Sequence, residues 1–289
     1  MGRPERWFRK GFSGRAVQGR SWPGTIAALD KEDAVAAIVS YQEAFTRRQP
    51  LMVADYTETD SDESYYVTPY FGALPANVDP NPSAEMLEQP QAYYVEQPPQ
   101  ATVPPHYHDT NQFQVFLRGR GLFGKKPVGA LAVHYANGHT PYGPIVTTDR
   151  EIHYLTLRNR WDSGGKTMPQ CRPTLRRLPR RFRMVEDFAL PELAGLAPGT
   201  CRRDDVLPCE DDGLGVSLFA LGPAAESTLA LAGPGAGRYA LVLSGAVETD
   251  AGAIDTGGCL HIGPADESVF RAGESGAAIL VMQFPPEPF

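Results

Sequence analysis

Along most of the chain, apolar and polar residues alternate with a period of two. The segments PLMVADYTE, ESYYVTPYFGAL, QAYYVEQPP, QFQVFLRGRGLFG, GALAVHYANG, GPIVT and IHYLTLRNR follow one another between residues 50 and 159. Each is bounded by Pro, Gly, Asn or Asp, which is how short strands joined by turns read. A second strand-rich block spans 188–289, with GVSLFALGP, STLALAGP, RYALVLSGAVET, GCLHIGP and AAILVMQFP. QVFLRGRGLFG and ALVLSGAVETD share a pattern that sets Gly119 on Gly245, which predicts an internal duplication. One stretch breaks the period. Residues 30–48 (DKEDAVAAIVSYQEAFTRR) carry Val35, Ile38, Tyr41 and Phe45 at helical spacing behind Asp30 as a cap, and predict a helix. The pattern as a whole predicts an all-β protein of two antiparallel β-barrel or jelly-roll domains with an N-terminal helix.

Composition changes this picture little. Apolar residues make up 42% and charged residues 21%, ordinary values for a globular chain. The 29 glycines and 27 prolines fit many turns. No apolar run reaches the roughly 20 residues that span a bilayer, so neither membrane nor nucleic acid is expected as a partner and a cytoplasmic location is. The net charge of −7 is uneven. Residues 1–29 form a basic tail. Residues 161–187 hold six arginines from Arg172 to Arg183 and read as an Arg/Pro-rich linker, a solvated connector without the aromatic interleaving of a nucleic-acid platform. The expected division is therefore tail 1–29, N-terminal domain 30–160, linker 161–187 and C-terminal domain 188–289. The cysteines, Cys171, Cys201, Cys209 and Cys259, form no C-x-x-C pair and are expected to be free thiols, with a Cys201–Cys209 bridge as the one alternative.

Candidate chemistry lies in PPHYHDTNQFQVFLRG, residues 104–119. Strand parity puts His106, His108, Gln112 and Gln114 on one face and Phe113, Val115 and Leu117 on the other. Two imidazoles at i and i+2 can chelate one transition-metal ion. His153 and His134 are the two candidates for a third ligand. His153 shares a face with Leu155 and Leu157. His134 lies in a small–His–small stripe with Ala132 and Ala136. Spacing from Gln112 favours His153. The nearby His139 reads as exposed and Tyr107 as outward-facing, while Arg118 shares the parity of the ligands at the strand end, where it reaches solvent or an anionic substrate. In the second block, the positions equivalent to His106, His108 and Gln112 are Ala232, Pro234 and Arg238, so that barrel is expected to be metal-free.

The run His106-x-His108, Gln112 and Gly119 resembles the first motif of the cupin family, with Gln112 where that family has Glu and without its upstream glycine. The second cupin motif is matched by Pro141 and Gly143 but has Val146 at its histidine position. The resemblance implies a bicupin, two cupin barrels of which the first binds metal. It also implies a divalent transition metal, Fe(II) first, with Zn, Mn, Ni or Cu as alternatives. The ligands would be His106, His108 and either His153 or His134, with Gln112 as a weak further ligand. Gln112 and Gln114 would meet substrate. Three-histidine ferrous cupins similar to this arrangement are dioxygenases, so the expected activity is dioxygenase-like, on a small anionic or dicarbonyl compound. A non-catalytic small-molecule binder or sensor is the other reading, since a shared fold does not fix a reaction. A homodimer is compatible with either.

Overall fold

The structure, a computed structural model, describes residues 37–51, 58–59, 65–75 and 81–287. The chain divides into residues 1–35 and a unit of residues 36–289. The basic tail, and the first part of the expected helix, lie outside the described residues.

Two antiparallel sheets dominate the larger unit. The first runs in the order Gln49–Pro50, Tyr66–Phe71, Gln91–Gln97, Ile152–Arg158, Gln112–Phe123, Ile145–Val146, Ala101–Val103, Glu58–Thr59. Ala132–Ala136 joins it beside Gln112–Phe123, and Phe182–Val185 adds outside Ala132–Ala136. The second runs Ala37–Val39, Cys259–Ile262, Arg238–Thr249, Phe270–Gln283, Gly215–Leu221, Cys201–Leu207. Each long strand begins on a core and ends on a glycine-bearing bulge. Gly119 and Gly245 have φ of +78° and +79°, and a Cβ there would stand 1.8 Å from the Glu151 carbonyl oxygen or 2.1 Å from that of Gly276. Only glycine accepts both the dihedral and the contact. The alignment of these two positions is therefore a shared backbone device.

Side-chain alternation sorts the apolar residues into three cores. Phe113, Val115, Val133, Tyr135, Leu155 and Leu157 leave the first sheet on one face and meet Leu218, Tyr239, Leu241, Leu280 and Met282 of the second. This shared core joins the two lobes. The opposite face of the second sheet closes on Phe219, Leu221, Ala240, Val242, Leu260, Ile262, Ile279 and Val281. The opposite face of the first sheet closes on Phe116, Phe123, Ala132, Ala136, Tyr142, Ile152 and Tyr154. That third interior holds the polar residues described below.

Two expectations change. The helix expected over 30–48 is, among the described residues, only Tyr41–Phe45, with the Ser40 hydroxyl accepting from the Glu43 amide. Ala37–Val39 is a strand instead, paired with Cys259–Ile262. The run Ala-Ile-Val gains a ladder on the second lobe, and a cap at Ser40 starts the helix late. The stretch 161–187 is not a bare connector. Lys166–Thr167 pairs with His106–Tyr107, and Phe182–Val185 with Ala132–Ala136. Arg181 and Arg183 are tied to Glu210 and Asp212. All four cysteines are free. No helix among the described residues is long and apolar enough to cross a membrane.

Candidate functional site: a polar cluster inside the first lobe

Three strands aim alternate side chains into the first interior. Gln112 and Gln114 come from Gln112–Phe123, His134 from Ala132–Ala136, and Thr156 and Arg158 from Ile152–Arg158. Register sets Gln114 opposite both His134 and Thr156, so these groups share one level of the lobe. His106 and His108 enter from the short strand His106–Tyr107 and the turn after it. His106 is fixed by a two-way backbone bridge to Tyr142. His106, His108, Gln112, Gln114, His134 and Arg158 are all buried.

Hydrogen bonds define the tautomers. His106 Nδ1 lies 2.7 Å from the Pro104 carbonyl oxygen, His108 Nδ1 2.7 Å from Asp162 Oδ1, and His134 Nδ1 2.9 Å from Gln114 Oε1. Each partner is an acceptor, so each Nδ1 carries the proton and each Nε2 presents a lone pair. The His106 lone pair takes the Tyr142 hydroxyl at 3.0 Å. Arg158 Nη2 lies 3.1 Å from His108 Nε2 and 3.2 Å from its Nδ1, over the ring and not along the lone pair. His134 Nε2 is buried and has no partner.

Arg158 organises the rest. Its guanidinium donates to Gln112 Oε1 and Gln91 Oε1, each at 2.5 Å, and to the Tyr93 hydroxyl at 3.0 Å. Gln112 Nε2 then donates to the Tyr142 oxygen at 2.5 Å. A polarised chain thus runs Arg158 → Gln112 → Tyr142 → His106 → Pro104, each link strengthening the next. Asp162 is the counter-charge. Its carboxylate accepts from His108, from the Asp109 amide at 2.8 Å and from the Gly164 amide at 2.8 Å, with Lys166 at 3.8 Å.

Protonation follows from this layout. Burial lowers His106 to about 4, and burial with the Arg158 charge lowers His108 to about 3. Burial, with His106 adding, lowers His134 to about 3. Burial works against the Asp162 carboxylate, but His108 and Arg158 outweigh it and hold the group below its ordinary range. Burial likewise opposes the Arg158 charge, which Tyr93, Asp162 and Tyr142 restore and raise. Near neutral pH the cluster is therefore neutral imidazoles around two buried charges, the Arg158 guanidinium and the Asp162 carboxylate, with the His108 ring in contact with both.

The residues expected from the pattern fare differently. His106, His108, Gln112, Gln114 and His134 are brought together. His153 is not. It points to the other face of its strand, 3.1 Å from the Tyr94 hydroxyl, in the surroundings of Glu96, Arg118 and Glu151. Leu155 and Leu157, its partners in parity, enter the core between the lobes. His139, expected exposed, is buried against Tyr107. Tyr107 does leave the cluster, donating its hydroxyl to the Cys171 carbonyl. Arg118 pairs with Glu151 at the surface. Pattern reading passed over Arg158 and Asp162. The signal for Arg158 was present: it shares parity with Tyr154 and Thr156, opposite to His153. Asp162 had none, since it lies in a loop beyond the strand.

No protein-family model matches the chain, and no curated protein matches it in sequence. Solved structures do resemble it in fold. A Pseudomonas aeruginosa protein provisionally assigned as glyoxylate-induced is 12% identical with a TM-score of 0.54, over 92% of this chain and 94% of that one. The coconut allergen cocosin is 10% identical with a TM-score of 0.51, over 83% and 85%. A Nostoc punctiforme protein provisionally assigned as a dioxygenase is 12% identical with a TM-score of 0.50, over 82% and 87%. The fold is that of the cupins. At these identities the likeness extends to the fold alone.

Cupins are known for holding divalent metals on inward histidines, and the donor set here does not fit such an ion. Among the described residues no three His, Cys, Asp or Glu side chains converge to hold one. The Arg158 guanidinium stands between His108 Nε2 and Gln112 Oε1, the donors a metal would take. The Tyr142 hydroxyl stands on His106 Nε2. A fixed guanidinium about 4 Å from a dication would repel it by about 8 kcal/mol at an effective dielectric near 20. Asp162 offsets part of that, but its oxygens are already engaged.

Proposed function

We propose that this chain is a bicupin whose first lobe binds a small molecule without a metal, as a binding or sensor protein. The observation that carries this reading is the Arg158 guanidinium at 3.1 Å from His108 Nε2 and 2.5 Å from Gln112 Oε1: a built-in cation where a ferrous or zinc ion would sit. The buried polar cluster argues for a ligand at all. Unpaired polar groups in an interior cost a few kcal/mol, and among the described residues the first lobe gathers many buried polar side chains where the second has Ser217, Ser268 and Gln283. Metal analysis of protein purified from medium supplemented with iron, nickel, zinc, manganese or copper tests it. Less than about 0.1 ion per chain is expected, with no oxygen uptake on diketones or hydroxy acids. One ion per chain, lost in His106→Ala, would overturn it.

A metal-dependent, dioxygenase-like oxidoreductase is the second reading. One observation favours it: the Nδ1 of each of His106, His108 and His134 is tied to an acceptor, which leaves every Nε2 lone pair in the form a metal needs. It requires Arg158 and Tyr142 to move aside.

A further inference from the structure

One group in the first lobe lacks what its surroundings should supply. His134 is fully buried, its Nδ1–H is spent on Gln114 Oε1, and its Nε2 lone pair meets no donor. An acceptor so placed costs roughly 1–3 kcal/mol. Three rings surround this imidazole, with centroids at 4.5 Å for Phe123, 4.7 Å for Tyr142 and 4.8 Å for Phe182. Two of them belong to the packed interior. Phe182 does not: it is 43% exposed. It also sits at the start of Phe182–Val185, a four-residue edge strand paired on one side with Ala132–Ala136 and tied on the surface by Arg183 to Glu210. The ring between His134 and solvent is thus the one least held in place.

We propose that His134 and its aromatic surround form a binding site for a small neutral aromatic hydroxyl compound, with Phe182 as its gate. The ligand ring takes the place of the Phe182 ring, which swings into solvent, and the ligand hydroxyl donates to His134 Nε2. The exchange is ring for ring, so little apolar contact is lost, and it adds the missing hydrogen bond. A donor is required because the orphan is an acceptor. Neutrality is required because the cations of this lobe's interior and of the strand at Phe182 are already engaged, Arg158 with Gln112, Gln91 and Tyr93 and Arg181 and Arg183 with Glu210 and Asp212, so a carboxylate would enter unpaired. This proposal rests on the small-molecule-binding reading above and names its ligand class.

Fluorine NMR titration of the full chain with 4-fluorophenol, 4-fluoroanisole and 4-fluorobenzoate tests it. Saturable binding of the phenol is expected, with the anisole about tenfold weaker and the benzoate undetected. Phe182→Ala, at an exposed position that tolerates truncation, is expected to bind the phenol at least fivefold tighter, since no ring needs displacing. His134→Leu, checked for folding by near-ultraviolet circular dichroism, is expected to bring the phenol-to-anisole ratio close to one. His134→Asn serves if the leucine variant fails to fold, and should weaken the phenol selectively. No saturable phenol binding, or an unchanged ratio in the folded His134 variant, would overturn the proposal. The metal assay reads separately. A stoichiometric ion alongside intact phenol selectivity supports this site while ending the metal-free reading.

Discussion

The two lobes are built alike and filled differently. Each has a 12-residue strand with a positive-φ glycine at its eighth position, and each closes a sheet face over its own interior. In the second lobe that interior is Phe219, Leu221, Ala240, Val242, Leu260, Ile279 and Val281. In the first it holds three histidines, two glutamines and two buried charges, Arg158 and Asp162, each against His108. The second lobe shows that the architecture needs no polar interior for stability. The first therefore carries its cluster at a cost, since buried ion pairs seldom outdo well-packed apolar residues. What the difference teaches is where to look: chemistry lies in the lobe that departs from the cheaper solution.

The sharpest way to break this contrast is to remove one charge. Arg158→Met takes the donor from buried Gln112, Gln91 and Tyr93 and the larger cation from the surroundings of Asp162, which keeps His108, two backbone amides and Lys166 at 3.8 Å, and should destabilise the chain by about 3–5 kcal/mol in urea unfolding. The double change Arg158→Met with Asp162→Asn should recover a good part of that loss, because the uncompensated charge is gone. An Arg158→Met effect below about 1 kcal/mol would mean the pair is solvated and the lobes differ less than their packing implies.

Acid should separate the lobes next. His106, His108 and His134 have folded values of about 4, 3 and 3, below the ordinary 6.5. Between these values and 6.5 the unfolded chain binds more protons than the folded one. Stability is therefore present above pH 6.5 and is lost as pH falls toward 3, by up to about 3 kcal/mol for His106 and up to about 5 kcal/mol for His108 and for His134. Of the histidines, the second lobe contributes only His261 to this fall, lowered by burial to about 4. His134→Asn should flatten the profile between pH 4 and 6.5 more than His261→Asn if His106 and His134 are coupled. Equal flattening would indicate that burial alone, and not the cluster, sets these values.

Much of this was legible in the chain. His106, His108 and Gln112 are close in sequence and do meet, but not on one strand face as parity implied: His106 lies on the short strand His106–Tyr107, His108 in the turn after it, and Gln112 opens the next strand. Gly119 and Gly245 aligned because each marks the same bulge. The failure at His153 has a physical cause. The strand Ile152–Arg158 is buried on both faces, so the apolar parity of Leu155 and Leu157 did not tell the interior from the seam between lobes. In such a strand the polar parity, ending in Arg158, marks the interior. The helix over 30–48 failed for a related reason: a short run such as Ala37–Val39 fits either period, and a partner 220 residues away, Cys259 opposite Val39, lies beyond any local pattern.

The matched glycines offer a milder comparison. Gly119→Ala and Gly245→Ala each force a Cβ onto a carbonyl oxygen at positive φ. Each should cost about 2 kcal/mol or more, by similar amounts, as strain at a special backbone position does. A large inequality between the two in thermal unfolding would show that the bulges are not equivalent.

The smallest expected effect lies where the lobes touch through the chain's end. Past Phe270–Gln283, the Pro285 carbonyl accepts from the Asn111 side chain at 3.4 Å, and Glu287 Oε1 from the Asn111 amide at 3.0 Å. Burial, opposed by Asn111 and Arg160 and reinforced by Asp162, pushes the Glu287 carboxyl up to about 7. Its sign is opposite to that of the histidines. A folded value above the unfolded 4.5 means stability fully present below pH 4.5 and lost as pH rises through 7. The group is only half-buried, so about 1 kcal/mol is the expected size after solvent screening. Glu287→Gln keeps the acceptor and removes the titration. It should leave stability at pH 4.5 unchanged, raise it at pH 8, and so steepen the acid fall that the first lobe imposes. If the variant is instead less stable at pH 8, the ionised carboxylate, and not its protonated form, holds the second lobe's end against Asn111.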